Sequence, residues 1–442
     1  MGKGCGLLER RAIARADMRE GMDRLGFGDP GTDSSKTRCR AIPPTIEGFQ
    51  GPCGPWRVRA EPALLVDAPP EAGGYRKNRR PEGNVVPELK RILILRYGGV
   101  GDHIIFSDAL RQLRRLEPDA HITMLAPRHV EDLYAHNPYV NAWVAAPELA
   151  GAFQDWGFDF GVIDDALGEL RETVFDYLYD PDPHQLSLSG LVVSRLSALR
   201  KIGFRQQRWI LPGYQSNRYF TDLLDRPVLP HIAQYQSIFF RAVYGIEYRT
   251  TDYAVFFAPF ARQRFRAIFP DPLPGRGLVA LHCAGTDPSR RLSLAQVEGL
   301  IAGLVARGYI PLLIGQQPYE IGRGGAVDLT RLLTISEQAC LLGRCAALIG
   351  VDSGGKHLAA AMRLPICEIG HIPAPLLVDN GALIPESLFC ALSVFAPVNG
   401  CRHQLVLPTA PGLDRAAVES GAAIQSIAVA AMLAGFDRLM AS

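Results

Sequence analysis

The sequence has almost no net charge. Lys and Arg total 47 against 45 Asp and Glu, which leaves +2 over 442 residues. A chain so balanced lacks the broad basic face that grips nucleic acid, and no nucleic-acid partner is expected. No CxxC pair occurs among its nine cysteines, and their odd number leaves at least one thiol unpaired. Zinc and redox motifs are therefore unsupported, no metal site or cofactor is expected, and a reducing compartment fits best. The first residues, MGKGCGLLERRAIARADMRE, are charged throughout and lack the apolar core of a secretory signal. Gly6 stands where an N-myristoylation pattern needs Ser or Thr. Long apolar runs are also missing. The stretch to test as a membrane span, between Glu419 and Asp437, is uncharged but rich in Ala, Gly and Ser and contains Gln425. Its larger apolar residues, Ile424, Ile427, Met432 and Phe436, recur at helical spacing, which predicts an amphipathic helix instead.

What the chain does have is length and an uneven texture. At 442 residues it suits two folded domains with something looser in front. Residues 1–88 are rich in Pro, Gly and Arg and read as a mostly irregular extension. Within them, Trp56–Ala60 alternates in strand fashion and Ala63–Val66 is a second apolar run, which together allow a small β element. Residues 89–262 read as a first α/β domain and 263–412 as a second. Residues 413–442 read as a C-terminal helix expected to pack back toward the first domain.

From Lys90 onward strands and helices alternate, the pattern of a doubly wound parallel sheet. Arg91–Arg96 is a short apolar run of the kind buried on both faces. A helix is predicted from Asp102 to about Leu116, with Ile105, Ala109, Leu113 and Leu116 on one face. Further strands are predicted at His121–Ala126, Ala142–Ala145 and Phe160–Ile163, with a helix near Val130–Ala135. After a break near Ala258–Gly277 the pattern restarts. Strands are predicted at Gly277–Cys283, Tyr309–Ile314, Ala346–Gly350 and Pro365–Ile369, with helices at Ser293–Arg307, Ser336–Arg344 and Gly354–Met362. Two Rossmann-like halves facing each other place the natural binding site in the cleft between them.

Two glycine turns carry the chemistry. The first is Tyr97-Gly98-Gly99-Val100-Gly101-Asp102-His103. It fails as a dinucleotide fingerprint, because Ile104 occupies the place of the third Gly and the second strand ends in Pro127-Arg128 rather than in an acid. What remains is an acid at a helix N-terminus, with Gly99 and Gly101 letting a substrate approach the backbone. Asp102 reads equally as a helix cap and as a general base. The second turn is Asp352-Ser353-Gly354-Gly355-Lys356-His357-Leu358-Ala359-Ala360-Ala361. Uncovered amides at a helix start make an anion seat suited to a diphosphate. Lys356 reads as a side chain facing solvent, and His357 as either structural or part of that seat.

At these residues the sequence resembles glycosyltransferase family 9, the ADP-heptose lipopolysaccharide heptosyltransferases and their relatives. A strand, a G-x-G-D-type turn and an amphipathic helix are followed late in the chain by D-[ST]-G-x-x-H-L-A-A-A. Phe158–Asp164 is similar to the family's "yDlvid" strand, and His231 opens a helix in a familiar place. The resemblance implies a GT-B fold and an inverting, metal-independent transfer from a nucleotide diphosphate sugar, with ADP-heptose the expected donor. The acceptor would be a hydroxyl of a lipopolysaccharide or another cell-surface glycan. It implies Asp102 as catalytic base and Asp352, Ser353, Gly354, Gly355 and His357 as donor-binding residues. Thr286 and Arg290 lie in the implied phosphate-contacting loop, although Leu292-Ser293 replace the family's Trp-Pro. Glu320 is a candidate contact for the donor's nucleoside. The implied setting is cytoplasmic, with peripheral association at the inner face of the inner membrane. The alternatives are a protein O-heptosyltransferase-like enzyme and a non-catalytic nucleotide-binding scaffold. Asp180-Pro181-Asp182 has the spacing of a metal-binding acid pair but lies in a Pro-rich loop. Arg195, Arg200, Lys201, Arg205 and Arg208 read as a solvated helix face or as a surface for an anionic acceptor.

Overall fold

A computed structural model describes residues 89–442 apart from 148–152, 155–156, 159, 183–188, 206–215, 226–230, 258, 269–276, 321–325, 372–395, 411–412 and 414. The β element expected within residues 1–88, together with Arg208, lies outside the described residues.

Strands β1 (Arg91–Leu95), β2 (His121–Ala126), β3 (Ala142–Ala145), β6 (Val174–Tyr179), β7 (Ser197–Phe204) and β8 (Asp222–Leu224) form one sheet. A small antiparallel hairpin, β4 (Phe153–Gln154) and β5 (Gly157–Phe158), stands apart from it. Strands β9 (Leu278–His282), β10 (Ile310–Leu313), β11 (Val327–Asp328), β12 (Cys345–Val351), β13 (Ile366–Ile369) and β14 (His403–Val406) form a second sheet. Every neighbouring pair in both sheets is parallel. The orders are β3-β2-β1-β6-β7-β8 and β11-β10-β9-β12-β13-β14, the same winding twice. Each order reverses beside its first strand, and in such sheets ligands bind at that switch point, outside the carboxyl ends of the strands.

The helices are α1 (Val100–Leu116), α2 (Phe160–Leu167), α3 (Ser189–Ser194), α4 (Tyr235–Tyr244), α5 (Pro259–Ile268), α6 (Leu294–Ala306), α7 (Ile335–Leu342), α8 (Gly354–Ala361), α9 (Arg415–Glu419), α10 (Ala422–Gln425) and α11 (Val429–Ala441). The apolar runs sort as parallel strands demand. In β1, Ile92 and Ile94 enter one core while Leu93 and Leu95 enter another on the opposite face. The core holding Ile92 and Ile94 continues through Leu278, Ala280, Leu348 and Leu358 of the second half. The two halves thus share apolar packing beneath the cleft.

α1 begins at Val100, two residues before the expected start, with Gly99 as its N-cap. It buries Ile104, Phe106 and Leu110 in addition to the expected face, while Leu116 is only half-buried. The reason is that α1 is covered both by its own sheet and by α8. The helix expected near Val130–Ala135 is a 3-10 turn at Arg128–Leu133. Asp132 from this turn accepts hydrogen bonds from the Ser336 amide (2.6 Å) and hydroxyl (2.7 Å), which pins the start of α7 to the first half.

Two expectations are corrected. Phe160–Ile163 is not a strand, and the strand likeness read over Phe158–Asp164 fails with it: α2 occupies Phe160–Leu167. Only Ile163 and Leu167 are buried there, four residues apart, while Phe160 and Val162 are exposed. The sheet position is filled by β6, Val-Phe-Asp-Tyr-Leu-Tyr, which is longer and carries four aromatic or β-branched residues. The second correction concerns the C-terminal helix. α11 packs on the second sheet and on α6, not on the first half: Met432, Leu433, Phe436 and Leu439 join the core of β9, β10 and β13. Gly299 and Gly303 of α6 give room for Val429 and Leu433, so the two helices approach closely. Among the described residues no helix is long and apolar enough to cross a membrane.

α6 opens on a capping box. The Ser293 hydroxyl accepts from the Gln296 amide (3.3 Å), and the Gln296 side-chain carbonyl accepts from the Ser293 amide (2.9 Å). The Gln296 side-chain Nε2 also donates to the carbonyls of Ile424 (3.1 Å), Gln425 (3.2 Å) and Ile427 (2.9 Å). One buried side chain thereby caps α6 and fixes the approach to α11. Gln296→Leu is expected to lower unfolding free energy by about 2–3 kcal/mol, since it loses the cap and strands buried carbonyls. Urea denaturation checks this.

Candidate functional site

The site is assembled at the carboxyl ends of both sheets. β1 delivers Arg96 and the turn to α1; β9 delivers His282 and the loop 284–291; β12 delivers Asp352 at the mouth of α8.

In the first turn the Asp102 carboxylate accepts from the Gly99 amide at 2.8 Å. The capping role is therefore present in the geometry. The side chain still has 38% of its surface exposed, so one face remains open to a substrate. Arg96, buried at the end of β1, donates from Nη2 to the Asp102 carbonyl (3.0 Å), and the guanidinium lies 4.0 Å from the carboxylate. His129 contacts the Gly98 carbonyl through Nε2 (3.1 Å) and braces the turn from outside.

The N-termini of α1 and α8 meet across the two halves. A Cβ on Gly101 would lie 2.7 Å from His357 Cδ2 and 3.4 Å from Gly354 Cα. A Cβ on Gly354 would lie 3.0 Å from Val100 Cβ and 3.2 Å from the Gly101 amide nitrogen. Gly101, Gly354 and His357 are thus brought together by backbone-to-backbone contact that a side chain at either glycine would block. Two positive helix ends in such proximity favour an anion beside them.

Behind this junction runs a line of ionic contacts. The Lys356 ammonium donates to Asp352 Oδ1 (2.6 Å) and Glu368 Oε1 (2.8 Å). Arg290 donates to the Asp352 carbonyl (3.3 Å) and to its Oδ2 (3.4 Å). His403 Nε2 meets Glu368 Oε2 at 2.7 Å. Lys356 is 1% exposed, so the solvent-facing reading is overturned. Its stem follows the first turn of α8 inward because Glu368 on β13 waits there, itself fully buried. Burial works against ionising Asp352, but the charges of Lys356 and then Arg290 hold it well below the ordinary carboxylate range. Burial likewise works against the Lys356 charge, and Glu368 and Asp352 together raise its pKa above the ordinary value.

The sequence identified Asp352 and Arg290 but missed the line behind them. A Lys four residues after an Asp on a helix start was visible; that Glu368 lies beside it depends on β13 pairing with β12, which no local pattern shows. Ser353 holds the His282 ring through a 3.1 Å contact to Nδ1. Gly355 is packed against that same ring, where its own Cβ would come within 2.6 Å. Thr286 and Glu320 are exposed on carboxyl-edge loops of the second sheet, and Gly99 is exposed at the mouth of α1. The loop bearing Arg290 is closed by the Gly285–Arg290 and Leu292–Cys283 backbone bonds, with Asp287 capping its short 3-10 turn. Arg291 lies over the Tyr319 ring rather than toward Asp352.

Asp180, of the expected acid pair, is buried at the end of β6. It accepts from the Ser189 hydroxyl (2.8 Å) and the Asp182 amide (3.1 Å). Burial, with Asp182 adding to it, pushes its carboxyl up to about 7. Arg195 and Arg200 are occupied in two-pronged pairs with Asp164 and Asp222, and Lys201 donates to the Val193 carbonyl. Those basic residues brace the first half rather than forming an open anionic-acceptor surface. His231 bonds the Ala396 carbonyl through Nε2 (2.7 Å) and accepts from the Ala233 amide at Nδ1, so its proton sits on Nε2.

Residues 167–369 match the sequence profile of Glycosyltransferase family 9 (heptosyltransferase). The sequence likeness to that family lies in this stretch, which is less than half of the chain. The Asp352 segment falls inside the matched span and Asp102 before it. No curated protein matches the chain. Solved structures do. The family 9 glycosyltransferase of Veillonella parvula DSM 2008 aligns at a TM-score of 0.58 and 16% identity, over 80% of this chain and 97% of that one. ADP-heptose lps heptosyltransferase II of E. coli aligns at 0.57 and 17%, over 79% and 98%. E. coli heptosyltransferase WaaC, solved with ADP-2-deoxy-2-fluoro heptose, aligns at 0.55 and 16%, over 79% and 99%. At such identities the shared property is the fold, here two facing Rossmann-like sheets in the GT-B arrangement.

Three histidines of the second half, His357 and His371 buried and His282 partly so, are held neutral, chiefly by desolvation: His357 is lowered to about 3, and His282 and His371 to about 4. In the unfolded chain each takes up a proton near the ordinary value of 6.5. Their folded pKa values are depressed, so the stability they contribute is present above about pH 6.5 and is lost as pH falls below it. Each is expected to cost up to about 2 kcal/mol of unfolding free energy by about pH 5. Urea unfolding at neutral pH and near pH 5 measures the loss; a flat profile would contradict the neutral assignment.

Proposed function

We propose that this glycosyltransferase moves a heptose from ADP-heptose to a hydroxyl of a lipopolysaccharide or another cell-surface glycan. The observation that carries this reading is the junction of the α1 and α8 N-termini, with Asp102 half-exposed on one side and the Asp352–Arg290 pair on the other. The donor's diphosphate lies at the α8 end, where free amides and Arg290 offset its charge. Ser353, Gly354 and Gly355 supply close backbone. Asp352 takes hydrogen bonds from the sugar's hydroxyls, and His357, packed on Gly101, carries the contact to the acceptor half. Thr286 and Glu320 reach the donor from the flanking loops.

The acceptor hydroxyl lies at Asp102. As its oxygen bonds to the anomeric carbon, its proton passes to the Asp102 carboxylate. The bond from that carbon to the diphosphate oxygen breaks, and its electron pair leaves with ADP. Attack from the face opposite the leaving group inverts the anomeric centre. The fixed positive charge of Arg290 and the helix end meets the charge that develops on the departing diphosphate. In this scheme those groups supply the charge stabilisation without a metal ion. Enzyme working near the cytoplasmic membrane surface would meet a glycolipid acceptor there.

Asp102→Asn is expected to retain ADP-heptose affinity while losing transfer by at least about a hundredfold. Isothermal calorimetry and a coupled ADP-release assay read the two quantities separately, and near-normal turnover would remove Asp102 from the role. A panel of lipopolysaccharide cores, truncated glycans and protein acceptors identifies the acceptor class. Turnover in EDTA is expected to equal turnover without it; a full loss would contradict the metal-independent scheme.

A further inference from the structure

Lys356 and Glu368 pose a physical question that the proposed transfer does not answer. Lys356 is 1% exposed and Glu368 0%, so a complete ion pair lies inside the second half. Taking both charges out of water is costly, and a well-packed apolar pair of similar volume is often as stable or more so. Stability alone therefore does not account for charges at these two positions. Their one connection to the site is Asp352: the ammonium bridges Glu368 Oε1 and Asp352 Oδ1, at 2.8 and 2.6 Å. With Oδ1 engaged from inside, Oδ2 is turned to Arg290. Glu368 is in turn fixed through Oε2 by His403 on β14, the edge strand of that sheet. The carboxylate at the mouth of α8 is thereby aimed by a chain of contacts running across β13 to β14.

We propose that Lys356 and Glu368 are positioning residues for the sugar end of the donor: the Glu368-anchored ammonium fixes the Asp352 carboxylate in one orientation beside Arg290. This rests on the donor reading given above. Neither residue touches the donor. Lys356 sets the direction of Asp352, Glu368 sets the place of Lys356, and His403 holds Glu368.

The test compares binding of two probes, ADP and ADP-heptose, by calorimetry on the full chain. Its variants are K356M, E368L, their combination and E368Q. Each single apolar change leaves an uncompensated buried charge and lowers the unfolding temperature, whereas the double variant recovers it. In the double variant the Kd for ADP-heptose is expected to rise about tenfold or more, while that for ADP changes less than about threefold, because only the sugar depends on the aim of Asp352. Equal Kd values for both probes in double variant and wild type overturn the positioning role, as does an equal loss of both. Should the double variant fail to fold, E368Q decides. It keeps an acceptor for Lys356 but removes the charge that anchors it, and a selective weakening of ADP-heptose supports the proposal while unchanged affinity overturns it. Wild-type protein that binds neither probe overturns the donor reading itself, and the positioning role with it.

Discussion

The site depends on one steric constraint: α1 and α8 meet end to end at backbone distance. Gly101 and Gly354 make this possible, and no other residue type fits at either place without moving His357 or Val100. From this contact follow the closeness of Asp102 to the Asp352 segment and the concentration of positive helix ends at one point. It also explains why α1 is buried around more of its circumference than an ordinary surface helix. The Asp132–Ser336 bonds and the shared apolar core hold the two halves so that the contact persists.

The two sheets repeat one winding, and the repetition shows how environment assigns chemistry to identical residues. The fourth strand of each order ends in an aspartate, Asp180 after β6 and Asp352 after β12. Asp180 is buried with another acid nearby, and its carboxyl is pushed toward neutrality. Asp352 is buried with Lys356 and Arg290 against it, and its carboxyl is kept ionised. Burial acts on both in the same direction; the neighbouring charge decides the outcome. The same position in one topology thus yields a structural acid in the first half and a charged, site-facing one in the second.

Half of the described strands were legible because parallel strands buried on both faces announce themselves as apolar runs. The reading placed β2 and β3 at their observed bounds and β1, β9, β10, β12 and β13 within a residue at each end, but it did not find β4 to β8, β11 or β14. It failed at Phe160–Ile163, where four apolar or small residues satisfy strand and helix patterns alike until burial is known. It failed again at α11, since an apolar helix face does not say which surface it will cover. Of the residues gathered at the candidate site, Asp102, Arg290, Asp352, Gly354 and His357 had been singled out from motif context.

The sequence by itself determined the local chemistry: strands, glycine turns, helix starts and the acids standing at them. These depend on residues adjacent in the chain, whose spacing fixes backbone conformation and capping. Only the tertiary structure decided which groups share an environment. Lys356 and Glu368 are 12 residues apart and belong to different elements, and their pairing is created by the register of β13 on β12. Gly101 and His357 are joined only when the halves close. Charge interactions and close packing depend on distance in space, and that distance is a property of the fold rather than of any segment.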